Sequence, residues 1–126
     1  MDKKLESKIK QLDSALATLK EVLQMEKSKV IRDATIQRFE YCFELFWKCL
    51  RLYSLSEGDD VKSPKAAIRQ LQIYKILTPT ETETALQMAD DRNLSVHTYD
   101  EQTIDALYQR IFKYYEMMEQ VRQQLK

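Results

Sequence analysis

A single glycine and two prolines in 126 residues constrain this chain more than any other feature. So few turn-formers leave room for only a few, long elements. The apolar pattern says which kind. Leu5, Ile9, Leu12, Leu16, Leu19 and Leu23 recur at steps of three and four, one helical stripe that predicts a helix over residues 3–26. A polar break, Lys27-Ser28-Lys29, follows. A second helix is expected from about Arg32 to Ser56, and it is apolar on two sides. Ile36, Phe39, Phe43, Phe46, Leu50 and Tyr53 make one face, with Trp47 beside it; Cys42, Leu45, Cys49 and Leu52 make the other. Such a helix must be covered on more than one side, by being central to a bundle or by meeting a second subunit. Gly58 is its natural stop.

Ser63-Pro64 reads as an N-cap followed by a first-turn proline, opening a short helix over 64–76 with Ala67, Ile68 and Leu71 inward. Thr78-Pro79 repeats the signal and opens a fourth helix over 79–96. Thr98 with Glu101 three residues on fits a capping box, predicting a last helix over 99–125. Its stripe is Ile104, Leu107, Tyr108, Ile111, Tyr115, Met118, Val121 and Leu125. No segment alternates with a strand period. The expected fold is all-α, one domain over 1–126: an antiparallel up-and-down helical bundle, four-helix-bundle-like, of three long helices and two shorter ones.

Lys+Arg equals Asp+Glu, so a broad basic coat for nucleic acid is excluded and any such contact must be local. No apolar run approaches the roughly 20 residues of a membrane helix. The charged start, "MDKKLESKIK", does not read as a secretion signal, so a cytoplasmic location is expected. Cys42 and Cys49 stand about 10 Å apart along one helix, too far for a disulfide between them, and are expected as buried thiols. With a single histidine besides, no dedicated metal site and no cofactor are expected.

The polar stretch "DDRNLSVHTYDE", Asp90 to Glu101, carries that histidine at a predicted helix end. Leu86, Ala89, Asp90, Asn93 and His97 share one face that turns polar toward its C-terminus. Buried without partners these polar groups would cost several kcal/mol, so they must pair, reach solvent or line a site. A histidine can take or give a proton near neutral pH, and an arginine can hold a phosphate through two parallel hydrogen bonds. Asn93, one turn from His97, can orient it. The set suits metal-free in-line attack at an RNA phosphodiester. A 2′-hydroxyl is activated by His97, and the developing charge is held by Arg92. On an ideal helix, however, Arg92 and His97 point about 140° apart. They can serve one site only if the helix ends or bends between them, or if two subunits share the site. A structural role, with His97 capping helix carbonyls, is the competing explanation.

Arg92-Asn93-Leu94-Ser95-Val96-His97-Thr98-Tyr99 resembles the R-x4-H-x-Y motif of HEPN-domain proteins. "IRDATIQRFEYCFELFWKCL" (31–50), "SPKAAIRQLQIYKIL" (63–77) and "ALQMADDRNLSVHTYDE" (85–101) resemble, in order, three blocks of one branch, the nucleotidyltransferase substrate-binding protein family. The resemblance implies a homodimeric bundle and a minimal nucleotidyltransferase partner encoded nearby. It also implies, for toxin–antitoxin members, a metal-independent ribonuclease that the partner silences by adding AMP to the motif tyrosine. By position, Arg92 would bind phosphate, Asn93 would orient, His97 would be acid and base, and Tyr99 would accept the modification. Arg38 and Asp90 are further candidate nucleotide or RNA contacts, and Arg38 and Glu40 could also reach an interface site.

Other conspicuous residues have plainer explanations. The aromatic run at 38–47 is expected as core or dimer interface, and Tyr114, Tyr115, Met117 and Met118 as packing. Asp59-Asp60 is expected as a solvated loop, and Glu40, Glu44 and Lys48 as helix-surface ion pairs. Three functions remain open: a ribonuclease toxin, a non-catalytic nucleotide- or substrate-binding subunit of a nucleotidyltransferase complex, and a purely structural dimerisation module.

Overall fold

The computed structural model describes residues 2–97 and 100–125. Five helices follow one another: α1 (Lys3–Leu23), α2 (Lys29–Ser56), α3 (Pro64–Ile73), α4 (Pro79–His97) and α5 (Glu101–Gln124). The all-α bundle expected from the periodicity is found, with α3 alone clearly short.

Local chemistry sets most boundaries. Ser28, Ser63 and Thr78 accept backbone hydrogen bonds from the third residue on, at 3.1, 3.2 and 3.1 Å. Glu81 returns the bond to the Thr78 backbone N–H at 2.8 Å, completing a capping box. Gly58 ends α2 with φ +91°, while Asp59 N–H reaches the Ser54 carbonyl at 2.8 Å. Three expected boundaries shift: α1, expected to run to 26, ends at Leu23. The sequence reading starts α2 at Arg32, but Ser28 caps it at Lys29. The reading carries α3 to 76, but it closes at Ile73 through Lys75 in the left-handed region (φ 64°), where no glycine gave warning.

The start of α5 is a further correction. Thr98 lies outside the described residues, and α5 is capped by Asp100, whose carboxylate accepts from Thr103 N–H at 3.0 Å. Glu101, expected to close a box with Thr98, binds Arg32 at 2.6 Å.

Both apolar faces of α2 are covered within the chain, because α2 packs against each of the other four helices. Phe39, Phe43, Phe46 and Leu50 are fully enclosed, and Phe39 stacks on Tyr114 of α5 at 5.7 Å between ring centres. Cys42 and Cys49 are buried free thiols, and loss of hydration pushes both up to about 12. Centrality therefore accounts for the two-sided pattern. No helix among the described residues is long and apolar enough to cross a membrane.

Candidate functional site at the end of the fourth helix

The last turns of α4 are framed by α2 on one flank and α5 on the other. Asp91 and Arg92 point to opposite flanks because successive helical residues diverge by about 100°.

Toward α5, Asp91 is buried and takes a bidentate ion pair from Arg110, Nε at 2.7 Å and an outer nitrogen at 2.9 Å. The Tyr114 hydroxyl donates to the same carboxylate. Burial first, and this carboxylate second, push the Tyr114 phenol well above its ordinary range. Tyr114, read from its spacing as packing, is thus also the polar tie of α5 to α4. Nothing in the apolar pattern singled out Asp91. The surplus of an acid on the wall side of α4 is the only signal that could have found it.

Toward α2, Arg92 donates to Glu44 at 3.1 Å. Its side chain is 27% exposed, while its Nε is buried with no hydrogen-bond partner among the described residues. One turn on, Ser95 donates to Glu40 at 2.6 Å and to the Arg92 carbonyl at 2.8 Å. The expected surface pair Glu44–Lys48 is present at 3.5 Å, on the carboxylate oxygen that Arg92 leaves free. Glu44, expected only as a helix-surface partner, therefore also meets Arg92, and Glu40, for which an interface contact was the alternative expectation, meets Ser95. Pairing across 48 residues cannot be read from the spacing within α2.

The remaining candidates are spread around the helix end. α4 is helical through His97, so it neither ends nor breaks between Arg92 and His97. The two stay about 140° apart in direction and about 7.5 Å apart along the axis. His97 and Asn93 are exposed, and among the described residues no hydrogen bond joins them. Leu94 and Val96 leave apolar side chains exposed on the same turns, 40% and 47%. Asp90 holds Lys65 of α3 at 2.5 Å. Arg38 turns to α1, donating to the Thr18 carbonyl at 2.7 Å and to Glu21 at 3.2 Å. Tyr99 lies outside the described residues.

Just beyond, a second arginine anchors the start of α5. Arg32, almost fully buried, reaches Glu101, Asp105 and Asp33 at 2.6, 3.3 and 3.0 Å. Its hydrogen bonds hold the Glu101 and Asp105 carboxyls below their ordinary values. Sequence reasoning missed this anchor because Arg32 stood at an expected helix boundary.

Such an arrangement can bind a phosphate at Arg92, whose guanidinium has more donors than partners among the described residues. Among the described residues no cluster of metal-ligating side chains is present. Residues 7–126 match the family described as nucleotidyltransferase substrate binding protein like. The fold is similar to that of a protein from Thermus thermophilus, with 47% identity, 91% of this chain and 98% of that one covered, and a TM-score of 0.86. It is also similar, at 18% identity, to a chain of a toxin–antitoxin structure with AMP-PNP (100% of both chains, TM-score 0.80). A third likeness, again at 18%, is to the structure of the tri-AMPylated Shewanella oneidensis HEPN toxin in complex with MNT antitoxin (98% and 96% covered, TM-score 0.76). No curated protein matches the sequence. The chain belongs to the nucleotidyltransferase substrate binding protein like family and has the HEPN fold.

Proposed function

We propose that this protein is the HEPN half of a two-gene, toxin–antitoxin-like module. In this reading it acts with a nearby-encoded minimal nucleotidyltransferase and cleaves RNA without a metal, in the cytoplasm. The observation that carries the reading is Arg92: half-buried, with an Nε that has no acceptor among the described residues, and set in a complete R-x4-H-x-Y sequence at an accessible helix end. Because Arg92 and His97 diverge on one helix, the site forms between two chains, Arg92 of one facing His97 of the other across a two-fold axis. The exposed Leu94 and Val96 supply apolar surface for that contact.

In the cleft His97 takes the proton of a 2′-hydroxyl, whose oxygen attacks the adjacent phosphorus. The phosphorus–5′-oxygen bond breaks, and a protonated imidazole returns a proton to the leaving oxygen. A 2′,3′-cyclic phosphate and a 5′-hydroxyl result. Arg92 holds the charge that builds on the phosphoryl oxygens. Asn93 belongs to the same face, and Tyr99 is the residue on which the partner would place AMP. The Shewanella oneidensis toxin is itself tri-AMPylated in complex with MNT antitoxin, which supports the pairing.

The test is cleavage of a labelled RNA by purified protein in chelator. Arg92→Ala and His97→Ala should each lower the rate by about 100-fold or more, the usual weight of a positioned acid–base or charge-stabilising group. Mixing the two inactive variants should restore activity, since a mixed dimer holds one intact Arg92 opposite one intact His97. Full cleavage by His97→Ala would remove the catalytic role, and silence of the mixture would remove the shared cleft.

A second function, nucleotide-binding subunit of the nucleotidyltransferase, is favoured by one observation: Glu44 already neutralises Arg92. It predicts no cleavage of any RNA by the free protein, and calorimetric binding of a nucleotide by the complex that Arg92→Ala abolishes.

A further inference from the structure

Where α2, α3 and α4 meet, next to the motif, small side chains leave a hollow of about 230 Å³. Phe43, Ser63, Pro64, Lys65, Ala89 and Asn93 line it, Phe43 and Ala89 buried and Ser63 and Asn93 exposed. We propose that this hollow is a nucleobase subsite of the Arg92 site, a deepening that rests on RNA or nucleotide being its ligand.

Three features select that ligand. The first is size. Pockets for whole drug-sized ligands run from about 300 to 1,000 Å³. This one suits a single ring system, with sugar and phosphate left outside. The second is the lining: the exposed Asn93 carries an amide donor and acceptor side by side, the pair that reads an adjacent donor and acceptor such as the N6 and N7 edge of adenine. The third is position. Asn93 shares a turn of α4 with Arg92, about 100° round the helix, and Phe43 of the lining is followed in α2 by Glu44, the partner of Arg92. Lys65 is held by Asp90 at 2.5 Å rather than sweeping freely through solvent. Asn93 is thereby a base-recognition residue. The distinction from an orienting role is experimental, since Asn93 and His97 share no hydrogen bond among the described residues.

The experiment is an amide NMR titration of the full chain with AMP, GMP, CMP and UMP, separate from any cleavage assay. Saturable shifts centred on Lys65, Ala89 and Asn93 are expected, strongest with AMP. Asn93→Ala should weaken binding by roughly three- to tenfold, the loss of one or two neutral hydrogen bonds. Ala89→Leu, which fills the hollow, should abolish the shifts, and a native-like amide spectrum of that variant guards against a folding failure. Arg92→Ala should weaken binding while leaving the shift pattern in place. Saturable shifts without cleavage would keep the subsite and favour the binding-subunit function. Cleavage that depends on Arg92 and His97, with no saturable shift at the hollow for any of the four nucleotides, would overturn the subsite and leave the ribonuclease standing. Shifts undiminished in both Asn93→Ala and Ala89→Leu would also overturn it.

Discussion

Asp91 and Arg92 stand side by side on α4, yet one closes a buried polar cluster against α5 while the other leaves a half-buried one open against α2. Asp91 has a bidentate arginine and a tyrosine hydroxyl on its two oxygens. Arg92 has one carboxylate and a buried Nε without an acceptor among the described residues. A saturated cluster in low dielectric fixes the rotation of a helix, because every alternative leaves a charge unpaired. An undersaturated one at the surface keeps capacity for a ligand. The contrast marks the first as a structural tie and underlies the proposal of a binding role for the second, although both are acid–arginine pairs.

The sharpest way to break this contrast is to truncate each side. Asp91→Ala strands Arg110 and Tyr114 and should cost about 3 kcal/mol, as for other pairs broken in protein interiors. Arg92→Ala should cost less than about 1 kcal/mol, as for partly exposed pairs. Urea unfolding of the two variants decides it, and similar losses would mean that Arg92 is structural too. Next in size is Tyr114→Phe, which removes one hydrogen bond but keeps the ring against Phe39. A loss of about 1 to 2 kcal/mol is expected, again by urea unfolding.

Glu44→Gln sharpens the other side. Arg92 loses its anionic competitor, so inorganic phosphate should bind more tightly by calorimetry, while stability changes by no more than about 0.5 kcal/mol. Weaker phosphate binding would show that Glu44 holds Arg92 in its working position instead of competing for it.

The smallest effect concerns pH. Arg32 lowers the folded-state values of Glu101 and Asp105 from the ordinary 4.5 and 3.8. Groups lowered on folding contribute stability above their ordinary values and lose it as pH falls through the folded ones. The thermal midpoint should therefore fall as the solution is acidified below 4.5, and fall less steeply in Arg32→Met. Parallel acid limbs would detach the Arg32 cluster from stability.

The sequence carried the fold because local chemistry is written locally. The leucine stripe of α1, the Ser63-Pro64 and Thr78-Pro79 starts and the Gly58 stop each act within a few residues, and each is where expected. Boundaries failed where a cap was passed over, at Ser28 and Asp100, and where a non-glycine residue, Lys75, took the left-handed turn that ends α3. Asp59, expected in solvent, is drawn in by Tyr74 and Gln70, a contact between loop and helix that no window of sequence contains.

The candidate site divides the same way. By itself the sequence determined that Arg92, Asn93 and His97 lie within two turns at a helix end, since helical geometry follows from adjacency alone. Only the tertiary structure decided that α2 is enclosed by its own chain, that Glu44 and not solvent meets Arg92, and that Asp91 is the buried acid. Those outcomes depend on which faces of distant helices come together. Burial and partnership are properties of that packing, and the hydrophobic drive that produces it has no direction along the chain.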